Sequence, residues 1–125
     1  MILIDTNVFI YIANGSLNPK IIAGHDIAFA SVSKIEALGF HKLVVQEESR
    51  LQTIFHKAEY LGLSDDIVEI AISLRKAKSM SLGDSIIAAT ALHHSLELWT
   101  VNTEDFEHVS ELKLHNPLKE VSIEP

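Results

Sequence analysis

Two kinds of hydrophobic pattern alternate along this chain. Short runs of consecutive apolar residues read as strands buried on both faces, and apolar residues recurring every three or four positions read as helices. Ile2 to Ile4 is a run of the first kind, and it stops abruptly at Asp5-Thr6-Asn7. Val8 to Ala13 is apolar all round, which predicts a buried helix ending near Asn14-Gly15. Pro19 and Gly24 mark turns around a short segment, and Ile27 to Val32 reads as a second strand. Ser33 then opens a helix in which Ile35, Leu38 and Gly39 share a face. Leu51, Ile54, Phe55, Ala58 and Leu61 have helical spacing and predict one long helix, interrupted at Gly62.

Ser64-Asp65-Asp66 starts the next helix with acids in its first turn, as the helix dipole favours. Its apolar face is Ile67, Ile70, Ala71 and Leu74. Arg75, Lys76 and Lys78 follow in its last turn as solvated, dipole-matching cations, with phosphate contact the secondary reading. Ser81 begins a further helix, central because Ile86 to Leu92 is apolar nearly all round. Leu98 to Val101 is a third strand, and Asn102 to Phe106 a short turn or helical start. Leu112 to Leu114 and Val121 to Ile123 offer one or two edge strands. This alternation predicts one domain over residues 1–125, a three-layer α/β/α arrangement around a mainly parallel sheet of about four to five strands.

Composition narrows the functional classes. Apolar residues make up 47% and charged residues 22% of the 125 positions, enough for a buried core and too apolar for disorder. The absence of cysteine excludes disulfides and thiolate metal sites. Asp5 breaks the first apolar run and no basic stretch precedes it, so a signal peptide is not expected. No apolar run approaches the roughly 20 residues that span a bilayer. A soluble, cytoplasmic protein is therefore expected. The formal net charge of −7 argues against a passive nucleic-acid binder, which relies on excess Lys and Arg. It does not exclude an enzyme whose carboxylates recruit divalent cations, because bound cations invert the local electrostatics.

Candidate chemistry lies where apolar runs end. Asp5 follows the first strand, Ser33-Lys34-Ile35-Glu36 the second, and Asn102-Thr103-Glu104-Asp105 the third, while Ser81-Leu82-Gly83-Asp84 opens the central helix. The last three have the spacing of a capping box or a near relative, and taken singly each is more simply a helix cap. Together they mean more. In a parallel sheet the strand-to-helix junctions share one edge, which brings Asp5, Glu36 and Asp105 together for topological reasons. Asp84 joins them if the central helix starts at that edge. Helix starts also help keep carboxylates ionised, so capping and metal binding are compatible. Clustered carboxylates repel one another until a cation neutralises them, and Mg²⁺ or Mn²⁺ suits all-oxygen ligands.

The ordered set resembles a known family. Leu3-Ile4-Asp5-Thr6-Asn7-Val8-Phe9, Ser33 to Glu36, Ser81 to Ala91 and Thr100 to Phe106 resemble the successive motifs of PIN-domain ribonucleases, and more narrowly the toxins of VapC-type toxin–antitoxin modules. The likeness runs across nearly the whole chain and no key acid is missing. It implies a PIN-like fold and a Mg²⁺- or Mn²⁺-dependent endoribonuclease acting on structured RNA. It also implies a cognate antitoxin whose tail blocks the site, and a homodimer. On the same resemblance Asp5, Asp84 and Asp105 hold the metal, and Glu36 acts through a water or as general base. Thr6 and Asn102 orient the neighbouring carboxylates. The fourth motif offers both Asn102 and Asp105 as the residue that approaches metal, and one or two ions fit equally.

Competing readings have their own signatures. None of the seven histidines shows ligand spacing, and the adjacent His93-His94 pair reads as surface. Tyr11, Tyr60 and Trp99 read as core or interface residues rather than base-stacking platforms. A phosphatase working through an aspartyl-phosphate needs a second acid two positions after Asp5, where this chain has Asn7. A non-catalytic, acid-capped binding module predicts that all four acids tolerate amide replacement.

Overall fold

A computed structural model describes residues 1–118, so the expected strand at Val121 to Ile123 lies outside the described residues. The strands are β1 (Ile2–Ile4), β2 (Ile27–Ala30), β3 (Glu59–Leu61), β4 (Glu97–Trp99) and β5 (Leu114–His115). They form a five-stranded sheet in the order β3-β2-β1-β4-β5, and every pairing is parallel. The helices are α1 (Thr6–Ala13), α2 (Ser31–Leu38), α3 (Val45–Lys57), α4 (Asp65–Ala77) and α5 (Leu82–His94). Short 3-10 turns at Pro19–Ile22 and Thr103–Asp105 complete the order.

The strand period of two sorts the core into layers. Ile2, Ile4, Phe29 and Trp99 face α1 and α3, packing with Val8, Phe9, Ile12, Leu51 and Phe55. Leu3, Ala28, Ala30 and Leu98 face the opposite way, onto Ile87, Ala88 and Ala91 of α5 and onto Phe106. α4 then covers α5 through Ile67, Ala71 and Ala89. Under β2 the rings of Phe9 and Phe55 lie 4.6 Å apart and those of Phe29 and Phe55 4.8 Å. Such pairs add about 0.5–1.5 kcal/mol each beyond the area they bury. Trp99 belongs to this core, as expected, whereas Tyr60 is exposed.

Several local expectations need correction. The long helix predicted through Leu61 ends at Lys57; Ala58 turns to extended backbone and Leu61 belongs to β3. Pairing of Phe29 with Tyr60 and of Ala30 with Leu61 satisfies the backbone there, and that long-range pairing overrides a helical spacing two residues deep. The second strand, expected through Val32, ends at Ala30, and the helix expected from Ser33 starts at Ser31 with Ala30 as its cap, so Ser33 sits inside the first turn. The edge strand expected at Leu112 to Leu114 is shifted to Leu114–His115.

Candidate active site

β1 has β2 and β3 on one side and β4 and β5 on the other, so the strand order reverses between β1 and β4. In open parallel sheets the crevice at such a reversal, outside the carboxyl ends, is where ligands bind. The register places Ile4 opposite Trp99 and therefore Asp5 beside Thr100. The Asp5 N–H extends the ladder by donating to the Trp99 carbonyl at 3.0 Å. Asp5 also caps α1, but through its nearest neighbour: Oδ1 accepts from the Thr6 N–H at 2.8 Å. Oδ2 accepts from the Thr100 hydroxyl at 2.7 Å, and the Asn102 N–H donates to that same hydroxyl at 3.0 Å. Thr100 is fully buried and Asp5 only 4% exposed.

A second chain of hydroxyls holds Glu36. Thr6 Oγ1 lies 2.7 Å from Glu36 Oε1 and 2.9 Å from Ser33 Oγ. A carboxylate can only accept, so the Thr6 hydroxyl donates to Glu36, and the buried Ser33 hydroxyl in turn donates to Thr6. The expected capping box at Ser33 therefore does not form; both of its polar members serve Thr6 instead. The box at Ser81 does form in its main part, with Ser81 Oγ accepting from the Asp84 N–H at 3.1 Å at the start of α5. Asn102 precedes the 3-10 turn without a side-chain capping bond.

These pieces meet. Asp5, Thr6, Asn7, Ile10, Glu36, Asp84, Asn102 and Asp105 line one cavity of about 260 Å³. Asp5, Thr6, Glu36, Asp84, Asn102 and Asp105, the six residues to which the family resemblance gives a role, are all among them. α5 reaches this edge because it leads directly into β4, so its far end lies at the amino edge and its start at the carboxyl edge. Gly83 lets it come close. A Cβ at that position would stand 2.5 Å from Glu36 Oε2 and 3.3 Å from its carboxyl carbon.

The electrostatics match a crowded acidic site. Burial pushes the Asp5 carboxyl up to about 6 from 3.8, against the hydrogen bonds from Thr100 and Thr6, and the charges of Asp84 and Glu36 push the same way. Asp84 is likewise raised, first by burial and then by Asp105 and Glu36, with Ser81 opposing through a hydrogen bond. The donor set, carboxylates with a neighbouring amide and hydroxyl, suits an oxygen-seeking divalent cation, and a bound cation would offset the repulsion that adds to the effect of burial on both groups. Among the described residues no group of three or more Asp, Glu or His side chains is placed to hold a metal ion as it stands. Glu36 is held by Thr6, whereas Asp105 is exposed and Asp84 half-buried, so these two have room to turn toward Asp5.

Sequence reasoning overlooked Thr100, Ser33 and Gly83 as working parts. Thr100 was visible as a polar residue directly after an apolar run, the same signal that marks Asp5. Ser33 has the spacing of a cap, which hides its part in holding Thr6.

A family model described as PIN domain matches residues 2–112, a span that includes all four acids. The chain belongs to the PIN domain family. This PIN domain is 26% identical to a protein named Ribonuclease VapC of Rickettsia bellii (strain RML369-C), with 95% of this chain and 98% of that protein covered. Among solved structures it is similar to a toxin–antitoxin complex from Klebsiella pneumoniae, at 28% identity and TM-score 0.71, covering 94% of this chain and 98% of that one. It also superimposes on VapBC2 from Rickettsia felis bound to a DNA fragment from its promoter, at 24% identity and TM-score 0.78, covering 93% and 98% of the respective chains. That last likeness concerns the fold. The three-layer α/β/α arrangement expected for a PIN domain is the one observed. Among the described residues no helix is long and apolar enough to cross a membrane.

Proposed function

We infer that this chain, read as one nuclease domain over residues 1–125, is a divalent-metal-dependent endoribonuclease that cleaves structured RNA inside the cell. We read it further as the toxin of a type II toxin–antitoxin pair. The observation that carries the nuclease reading is the meeting of Asp5, Glu36, Asp84 and Asp105, from four separate stretches of chain, on one cavity at the sheet's reversal point. The toxin reading is supported by the relative named Ribonuclease VapC and by the Klebsiella pneumoniae toxin–antitoxin complex.

In this reading Asp5, Asp84 and Asp105 hold Mg²⁺ or Mn²⁺. The bound ion would lower the pKa of a coordinated water and offset charge on the phosphate under attack. Asp5 is the fixed member, aimed by Thr100 and by the Thr6 N–H. Glu36, oriented by Thr6, accepts a proton from the attacking water directly or through another water. Asn102 supports Asp5 through its N–H on Thr100, which favours Asp105 as the metal-facing member of the fourth motif.

An apolar groove of about 280 Å³ adjoins the acidic cavity and shares Ile10 and Glu36 with it. Ala37, Phe40, Leu43 and Leu51 line it, and Phe40 is 53% exposed. This is a fitting seat for an antitoxin tail that ends over the acids. α4 leaves Val68 and Ile72, four residues apart on one helical face, exposed, as the expected homodimer would require.

The test is cleavage of total cellular RNA by the wild type and by Asp5→Asn, with Mg²⁺ and with EDTA. Metal-dependent cleavage lost in the variant is the expected result. Cleavage that survives in Asp5→Asn sinks the role given to Asp5; no cleavage by the wild type favours a non-catalytic binding module.

A further inference from the structure

A second cavity, of about 350 Å³, adjoins the acidic one and shares Asp84 and Asp105 with it. Its other lining residues are Lys78, Ser79, Met80, Ser81, Glu104 and His108. Lys78 closes α4, and Arg75 Nε donates to the Met80 carbonyl at 3.2 Å, which ties the end of that helix to the turn leading into α5. The turn therefore has a fixed position beside the acids.

Two observations mark this space as more than a dent between helices. Among the described residues lining the two cavities, Lys78 is the one Lys or Arg. In a chain of net charge −7, a polyanion lying across the acids meets its nearest lining cation here. The second observation is His108. Its Nε2 is covered and has no hydrogen-bond partner among the described residues, so a turn of the ring into the cavity that His108 lines would let it pair with a ligand.

Resting on the ribonuclease reading, we propose that this cavity receives the ribose-phosphate of the nucleotide next to the cleaved bond. Lys78 Nζ donates to its phosphate, and His108 Nε2, once the ring turns into the cavity, hydrogen-bonds to a ribose hydroxyl or phosphate oxygen. Because Asp84 and Asp105 line both cavities, an RNA strand whose scissile phosphate sits at the acids can pass straight into the second space. The interaction tethers the strand without taking part in bond breaking. Lys78 thus acts on affinity and register, and the acids on rate.

The experiment measures binding of a fluorescein-labelled 20-nucleotide single-stranded RNA of mixed sequence. Fluorescence anisotropy in Ca²⁺ follows it from about 50 to 200 mM KCl, the range over which phosphate contacts weaken measurably. Wild type, Lys78→Ala, Lys78→Arg, His108→Gln and the distant control Lys20→Ala are compared. Lys78→Ala is expected to lower the slope of log K against log salt by about one and to weaken binding several-fold at the lowest salt. Lys78→Arg restores the slope, Lys20→Ala leaves it unchanged, and His108→Gln weakens binding without altering it. An unchanged slope in Lys78→Ala, with total RNA still cleaved by the wild type in Mg²⁺, overturns this proposal alone. Absence of both RNA binding and cleavage by the wild type overturns the ribonuclease reading and this proposal with it.

Discussion

The acidic cavity has two unlike halves. On the sheet side, Asp5, Thr6, Ser33 and Thr100 are buried and joined by hydrogen bonds of 2.7 to 2.9 Å, with Glu36 held at their rim. On the helix side, Asp84 stands half-buried at the start of α5 and Asp105 is exposed on a 3-10 turn. One half is fixed before any ligand arrives; the other can move to meet it. Fixed geometry is available to Asp5 because the β1–β4 ladder sets its backbone and Thr100 directly follows the paired strand. Asp105 has no such frame. A carboxylate's burial and its preorganisation come from the same source, the strand register, and both carry a cost in ionisation.

The contrast can be broken most directly by amide replacement. Asp5→Asn should lower Mg²⁺-dependent RNA cleavage by at least about 100-fold, and Asp105→Asn by about 10-fold, judged by kcat on one RNA substrate. Equal losses would show that burial does not rank the two acids.

The next effect is on stability and depends on pH. An unfolded Asp ionises near 3.8, whereas folded Asp5 keeps its proton until about 6. Between those values the unfolded chain has lost a proton that the folded one retains, so ionisation opposes folding. The metal-free protein should therefore lose stability as pH rises from about 4 to 6, by up to about 3 kcal/mol from this group. The raised Asp84 acts in the same direction. Asp5→Asn should melt higher than wild type at neutral pH in EDTA, with the difference vanishing below about pH 4. Mg²⁺ should narrow that gap by stabilising the wild type. Melting curves across pH, with and without Mg²⁺, check all three statements.

Thr100→Val acts inside the buried half. It keeps the shape but removes the hydroxyl that donates to Asp5 and accepts from Asn102. Activity should fall about 10-fold or more, and urea unfolding should show a loss of about 1–2 kcal/mol. A variant as active as wild type would mean that Asp5 needs no aiming.

Gly83→Ala probes the junction between the halves. The added Cβ displaces the Glu36 carboxyl, so cleavage should drop by about 10-fold or less. Helix propensity favours Ala over Gly by up to about 1 kcal/mol, so stability should hold or rise. Activity and stability moving in opposite directions is the signature; a parallel fall would place the strain in the backbone of α5 instead.

The outline of the fold was legible because its strongest signals are local. Apolar runs marked β1, β2 and β4, and Ser64 and Ser81 marked the starts of α4 and α5 through capping chemistry that a few adjacent residues decide. The three strand-end acids could be grouped from topology alone. Even Asp84 was within reach, since a helix leading directly into a parallel strand must begin at the carboxyl edge. Adjacent residues alone thus settle which positions are acidic, which runs are buried and where α4 and α5 begin.

Tertiary structure decided the rest. Leu61 belongs to a strand because β2 offers it a ladder, and its helical spacing to Phe55 and Ala58 carries no information about that partner. Ser33 serves Thr6 and not its own helix end, because the helix starts two residues earlier and turns the hydroxyl toward α1. Thr100 meets Asp5 across 95 positions through a register that no local pattern encodes. Local chemistry can nominate a carboxylate, but only long-range pairing can bury it, aim it and raise its pKa, because all three depend on neighbours that the chain brings from far away.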